Sequence, residues 1–239
     1  MATDERYCAF IADIVKSSKM SDLQRFEAQE QLQDAIDMYN KKCEATIAAK
    51  IYFSQGDQLQ ALFNDAMSAY KFACDFREKL YPIEFRIGLG VGNWSLCYPG
   101  DNTNKQDGTS YRNARTAYEY AKNQHRRIAF HSSRDDDMLI NTLIIQEYAI
   151  FNLQSSQQKE VFKTYKDVYP INPRMKKDNG VTVVHVDRGS QAQVAYKMGT
   201  SRQNVNKIVR TGLVYEQRDL QGSILLMLSR LFDVEGEKI

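Results

Sequence analysis

Short apolar runs and helically spaced apolar positions alternate along this chain of 239 residues. Residues 7–15, Tyr-Cys-Ala-Phe-Ile-Ala-Asp-Ile-Val, are short and mostly apolar, the pattern of a buried strand. Ser21 and Gln24 have the spacing of a capping box. Leu23, Phe26, Leu32, Ile36 and Tyr39 then carry a helix to about residue 43. Residues 46–54 and 58–63 predict two strands around Gly56-Asp57, a hairpin. Asn64 to Leu80 predicts a helix with Ala66, Tyr70, Ala73, Phe76 and Leu80 inward and Arg77 as a surface residue. Pro82 separates it from a strand over 83–92, Gly-studded at Gly88, Gly90 and Gly92.

The order so far is β-α-β-β-α-β. It predicts an α+β class and a ferredoxin-like palm, an antiparallel sheet with helices on one face. The alternating glycines leave one face of their strand without side chains. That bare face suits a close approach by a ligand or partner backbone, or a groove for the protein's own helix.

Residues 93–108 are polar and predict a surface loop. Tyr111 to Lys122 predicts a helix with Tyr111, Ala114, Tyr118 and Ala121 inward, while Arg112 and Arg115 share another face. Residues 126–131 suggest one more strand. Arg134 to Gln157 predicts a single long helix that opens on Asp135-Asp136-Asp137, a charge run suited to a helix N-terminus. Residues 158–187 are expected to be an irregular connector with some helix at its start. The domains expected are 1–157, the connector 158–187, and a small all-α domain over 188–239.

That last segment carries the sharpest local pattern. Ser190 and Gln193 have capping-box spacing, Ala195 is small where two helices would cross, and Gly199 supplies a turn. Val194, Met198, Val205 and Ile208 point to a shared core, and Ser201 can cap the second helix. This is helix-turn-helix spacing, in which the second helix enters the DNA major groove. Its exposed side would carry Arg202, Gln203, Asn204, Asn206 and Lys207, with Arg210 toward phosphate. Arg suits guanine, and Asn or Gln suits adenine. An αα-corner inside a larger domain gives the same pattern.

Charge sharpens this picture. The net formal charge is +2. Residues 174–210, however, hold eight basic and two acidic residues, a footprint for a polyanion partner or else a solvated face. The apolar fraction of 43% supports a globular core. No run approaches the length of a membrane span, and Met1 to Arg6 lacks a signal-peptide pattern. The four cysteines form no CxxC pair. A cytoplasmic protein with reduced thiols is the expectation.

Two aspartates carry the candidate chemistry. Asp13 ends the first strand and Asp57 sits in the hairpin turn. Two carboxylates at neighbouring strand ends can hold Mg²⁺ with substrate phosphates, and an Asp past a strand is also an ordinary turn or cap residue. For a two-metal site the carboxylates are expected about 4 to 6 Å apart.

Three segments resemble class III nucleotide cyclases: Phe10 to Val15, Gly56-Asp57 and Phe85 to Gly92. The resemblance implies a cyclase-like palm in which Asp13, Asp57 and the main-chain carbonyl of Ile14 ligate Mg²⁺ or Mn²⁺ beside a nucleoside triphosphate. The base is not implied, because Phe53 stands where adenine-selective members carry Lys. Arg112 and Arg115 fall near the family's transition-state Asn and Arg; the resemblance implies nucleotide contacts for Phe53, Arg112 and Arg115 and a catalytic role for Arg115. A second resemblance spans nearly the whole chain. The SatD family combines Asp13 to Ser17, Gly56-Asp57, Arg86 to Gly92, Gly108 to Arg115 and the pattern over 191–210. The functions expected are a DNA-binding regulator with an Mg²⁺-dependent nucleotide-binding palm, a nucleotide cyclase or nucleotidyltransferase, or a silent palm kept for dimerisation. The partners expected are double-stranded DNA, a nucleotide and a second copy in a homodimer, with no membrane.

Overall fold

The structure is a computed structural model describing residues 6–55, 58–95 and 106–232. The chain divides into two compact units. The first runs to Asn141 and takes in Leu231; the second spans Thr142–Arg230.

The first unit is a mixed α+β layer structure. Strands β1 (Tyr7–Ile14), β2 (Ile47–Gln55), β3 (Gln58–Phe63), β4 (Phe85–Gly92) and β5 (Ile128–His131) form one sheet in the order β2-β3-β1-β4-β5. Helices α1 (Asp22–Lys42), α2 (Ala66–Lys79) and α3 (Thr109–Asn123) connect them. The β-α-β-β-α-β succession is present in the first six of these elements.

Alternation along the central strand β1 sends successive side chains to opposite faces. Phe10 meets α2 on one face, its ring 4.9 Å from that of Phe72. Tyr39 of α1 and Phe63 of β3 each pack 5.2 Å from the same Phe72 ring. Ile11 lies on the other face, in a cluster with Tyr111, Ala114 and Tyr118 of α3. Helices therefore cover both faces, not one. Nor is the sheet wholly antiparallel, because β5 runs parallel to β4. Parallel neighbours need a crossover, and α3 is that crossover.

The glycine strand is what lets α3 lie there. A Cβ on Gly90 would sit 1.9 Å from the Ala114 backbone nitrogen, and one on Gly88 2.3 Å from the Ala114 carbonyl oxygen. The bare face of β4 thus seats the protein's own helix backbone.

Two details of the helices differ from the periodicity. The buried stripe of α1 is Ala28, Leu32, Ala35, Ile36 and Tyr39. Leu23 and Phe26 lie nine and six residues before Leu32, out of phase at about 100° per residue, and are 67% and 58% exposed. Arg77 on α2 is buried, 4% exposed, and is no surface residue.

The second unit contains most of α4 (Asp137–Leu153), then α5 (Ser156–Val168), β6 (Arg174–Asp178), β7 (Val181–His185), α6 (Gln191–Lys197), α7 (Arg202–Thr211) and α8 (Val214–Ser229). The single helix expected over 134–157 is broken. Ser155 adopts an extended backbone and caps α5 in a reciprocal box with Gln158, so the local side-chain bonds that start α5 also stop α4. Residues 158–187 are not irregular either. They hold most of α5 and a two-stranded antiparallel ribbon, β6–β7. Asn179 and Gly180 turn that ribbon with φ of 48° and 84°, the left-handed pair favoured in two-residue hairpins.

Val161, Phe162 and Tyr165 of α5 form one core with Val194 and Ala195 of α6, Val205, Ile208 and Val209 of α7, and Val214 of α8. Glu147 of α4 is fully buried and accepts bonds from Gln217 (2.8 Å) and Gln221 (2.9 Å) of α8. Among the described residues no helix is long and apolar enough to cross a membrane.

Candidate functional site

Asp13 is the penultimate residue of β1 and lies opposite Arg86 in the antiparallel register with β4. That register builds a small polar cluster. The Arg86 guanidinium reaches the Asp13 carboxylate at 3.3 and 3.4 Å. The Tyr118 hydroxyl of α3 donates to the same carboxylate at 2.7 Å. The pair is largely covered, with side chains 15% and 19% exposed. Burial, with the hydrogen bond and charge of Asp13, pushes the Tyr118 phenol up to about 12; Arg86 opposes that shift.

This geometry bears on the metal reading. A metal ligand offers its lone pairs to a dication. The Asp13 carboxylate offers them to an organic cation and a phenol, so as it stands it does not fit a metal ligand. Asp57 lies outside the described residues, and so does the expected separation of the two carboxylates. Among the described residues no cluster of three or more His, Cys, Asp or Glu could hold a metal. Ile14 is buried, in register with Phe85.

Beside this cluster, on the α3 face, is an open cavity of about 540 Å³ lined by Ile11, Gln60, Gln106, Tyr111, Arg112, Arg115 and Thr116. Arg112 and Arg115 are thus brought together on one wall, as their spacing predicted. Arg112 pairs with Asp107 at 3.0 Å, both half-exposed. Arg115 donates to the Gln58 side-chain carbonyl at 3.4 Å and lies 5.8 Å from the Tyr118 ring centre. Phe53 is on β2, partly buried, in register with Leu59; it does not line the cavity. The wall offers two guanidinium groups and four amide or hydroxyl side chains, a chemistry that suits phosphate oxygens.

The second candidate is the outer face of α7. Ser201 caps this helix by accepting the Asn204 amide at 3.2 Å. Arg202, Gln203, Asn206, Lys207 and Arg210 are exposed, whereas Val205, Ile208 and Val209 are buried. Two predicted base readers are partly engaged inside the unit. Asn204 donates to the Thr200 hydroxyl at 3.0 Å, and Asn206 accepts from Gln191 at 3.3 Å. Gln203, Asn206, Lys207, Arg210 and Thr211 line a shallow cavity of about 390 Å³. The expected capping box of α6 is only half made. Ser190 caps the Gln193 amide, but the Gln193 side chain accepts from Tyr169 instead.

Arg86 and Tyr118 are site residues that the sequence pattern did not single out. Arg86 is findable by laying β4 antiparallel to β1, which sets it across from Asp13. Tyr118 has the spacing of a core residue, and nothing in the periodicity says that its hydroxyl reaches a carboxylate.

The model of the SatD family matches residues 7–178. No curated protein matches the chain. Among solved structures, a microbial GGDEF domain described with bis-(3′,5′)-cyclic di-GMP is 16% identical. The match covers 54% of this chain and 79% of that one, with a TM-score of 0.34. A regulator of polyketide synthase expression from Bifidobacterium adolescentis is 10% identical, with 98% and 84% covered and a TM-score of 0.24. At those scores neither likeness bears on fold or function.

Proposed function

We propose that this chain, which belongs to the SatD family, is a DNA-binding regulator that lays α7 in the major groove of a duplex and binds a nucleotide in the cavity under α3. The observation that carries the reading is the two-sidedness of α7. Its inner side is committed to the core of the second unit. Its outer side presents Arg202, Gln203, Lys207 and Arg210 to solvent. α6 precedes it through a short turn at Gly199, whose φ is 62°, an arrangement that supports a helix-turn-helix reading. The net excess of cations over 174–210 adds the electrostatic term. A symmetric pair of half-sites calls for a homodimer, and a role on DNA goes with a cytoplasmic protein.

Duplex binding by the intact chain tests this, using fluorescence polarisation on genomic fragments from around its own gene. Affinity is expected to fall steeply with salt. Removing Lys207 or Arg210 should weaken all sequences alike. Gln203→Ala should relax sequence preference by about 1–3 kcal/mol for the base it reads. No duplex affinity at low salt, with and without nucleotide, sinks the reading.

The cavity favours a second reading, an enzyme of the cyclase or nucleotidyltransferase type built around Asp13 and Asp57. Two arginines on the wall of an open cavity argue for a phosphate-bearing ligand in either case. A metal would have to take Asp13 from Arg86. Screening four nucleoside triphosphates with Mg²⁺ or Mn²⁺, by thermal shift and by product mass, separates the two. Binding without turnover supports the regulator; a cyclic or transferred product supports the enzyme. Arg115→Ala should weaken triphosphate binding more than Lys122→Ala, an exposed residue of the same helix.

A further inference from the structure

The β6–β7 ribbon has no part in the helix-turn-helix pattern, yet it belongs to the same compact unit. Its register pairs Arg174 with His185, Met175 with Val184, Lys176 with Val183, Lys177 with Thr182 and Asp178 with Val181. Paired residues share a face, so the ribbon has two chemically different sides. One side, that of Met175, Lys177, Thr182 and Val184, approaches α8 through Val184 and Met175. A Cβ on Gly222 of α8 would come within 3.6 Å of Val184, and Arg230 approaches the Met175 sulfur at 3.0 Å. The other side carries Arg174, Lys176, His185, Val181 and Val183, with Asp178 at the turn. Every residue of β6 is exposed. Arg174 and Lys176 make no ion pair or hydrogen bond among the described residues.

The base of the ribbon is tied to the outer face of α7. Arg218, buried in α8, donates to the carbonyls of Tyr169 (2.9 Å) and Asp187 (2.8 Å), which pins the chain just after β7. The next residue, Arg188, lies 4.9 Å from the Tyr215 ring centre. Tyr215 is bonded by Gln191 at 3.3 Å, and Gln191 in turn bonds Asn206 of α7 at 3.3 Å. A cation–π contact and two side-chain hydrogen bonds therefore link the residue after the ribbon's base to Asn206 on the outer face of α7.

We propose that the β6–β7 ribbon is a second DNA-contacting element, an arm whose Arg174 and Lys176 bind duplex phosphates beside the groove that α7 occupies. The inference rests on the duplex-binding reading above and extends it to a surface outside the helix-turn-helix. Two cations on one strand face, two residues and so about 7 Å apart, and without an acidic partner among the described residues, gain most from a polyanion that releases counterions on association. Phosphate interactions of this kind position the protein and carry no base preference.

The test is the salt dependence of binding to one fixed duplex. Four full-length proteins are compared: the wild type; Arg174→Gln with Lys176→Gln; the charge-preserving Arg174→Lys with Lys176→Arg; and Lys71→Gln with Lys79→Gln, which removes two exposed charges from α2 of the other unit. The slope of log K against log salt is expected to shrink by about 0.9 for each phosphate no longer neutralised. It should do so only in the glutamine pair at Arg174 and Lys176, and the charge-preserving pair should keep the wild-type slope. Unchanged slopes in the ribbon variant, or an equal change in the Lys71 and Lys79 variant, overturn the arm while leaving the α7 reading intact. A wild type with no duplex affinity overturns both.

Discussion

At the scale of single residues, Asp13 changes most between sequence and structure. Its charge is answered by Arg86 and its lone pair by Tyr118. Arg86→Gln removes a charge-assisted bond to a largely covered carboxylate and should cost about 1.5–3 kcal/mol of unfolding stability. It should also raise Mn²⁺ uptake measured by calorimetry, because the competing cation is gone; unchanged uptake would set Asp13 outside metal chemistry. Tyr118 makes a pH prediction. Its phenol is held up to about 12 against an ordinary 10, so the folded state keeps a proton that the unfolded chain gives up in that window. The folded chain then binds more protons, and stability falls as pH rises. The advantage of wild type over Tyr118→Phe is expected to be complete below pH 10 and to shrink toward pH 12 in denaturant titrations.

At the scale of elements, β4 and α3 are one packing decision. Replacing Gly90 with Val places atoms where the backbone of Asn113 and Ala114 already is. Backbone cannot yield as a flexible side chain does, and the cost should reach or exceed the usual range of about 1–3 kcal/mol for overpacking, read as a lowered urea midpoint. A stable variant that merely lost ligand binding would contradict the packing account. The break between α4 and α5 depends on a smaller device. Ser155→Ala removes the acceptor for the Gln158 amide, bonded at 3.3 Å, and should cost about 1 kcal/mol. If α5 is as important to the second unit's core as Val161, Phe162 and Tyr165 indicate, the same variant should lower duplex affinity at elevated temperature before it does so at low temperature.

At the scale of the whole molecule, the proposed regulator requires communication between a nucleotide and a duplex. Whatever path it takes, thermodynamic linkage makes the effect reciprocal. If saturating nucleotide changes duplex affinity by some factor, saturating duplex must change nucleotide affinity by the same factor. Titrations in both directions are expected to agree. A nucleotide that binds with no effect on the duplex would leave the two units as independent activities on one chain.

Periodicity and local capping determined much of this protein unaided. The strand of Phe10 and Ile11, the hairpin pairing of β2 and β3, the inward faces of α2 and α3, and the cap and buried positions of α7 all follow from spacing, since each depends on neighbours within a turn or two. The Asn179-Gly180 hairpin is legible in the same way, followed by Val181-Thr182-Val183-Val184, although its surroundings suggest an irregular connector; so is the Ser155 box, hidden inside a continuous apolar pattern. Other features were decided only in three dimensions. Whether the bare face of β4 would receive a ligand or a helix depended on where α3 crossed. That Asp13 would meet Arg86 and Tyr118 depended on residues 73 and 105 positions away. The phase of α1, which exposes Leu23 and Phe26, depended on which stripe the sheet selected. Long-range partners are set by register and crossover, and no local pattern encodes those until the strands have found one another.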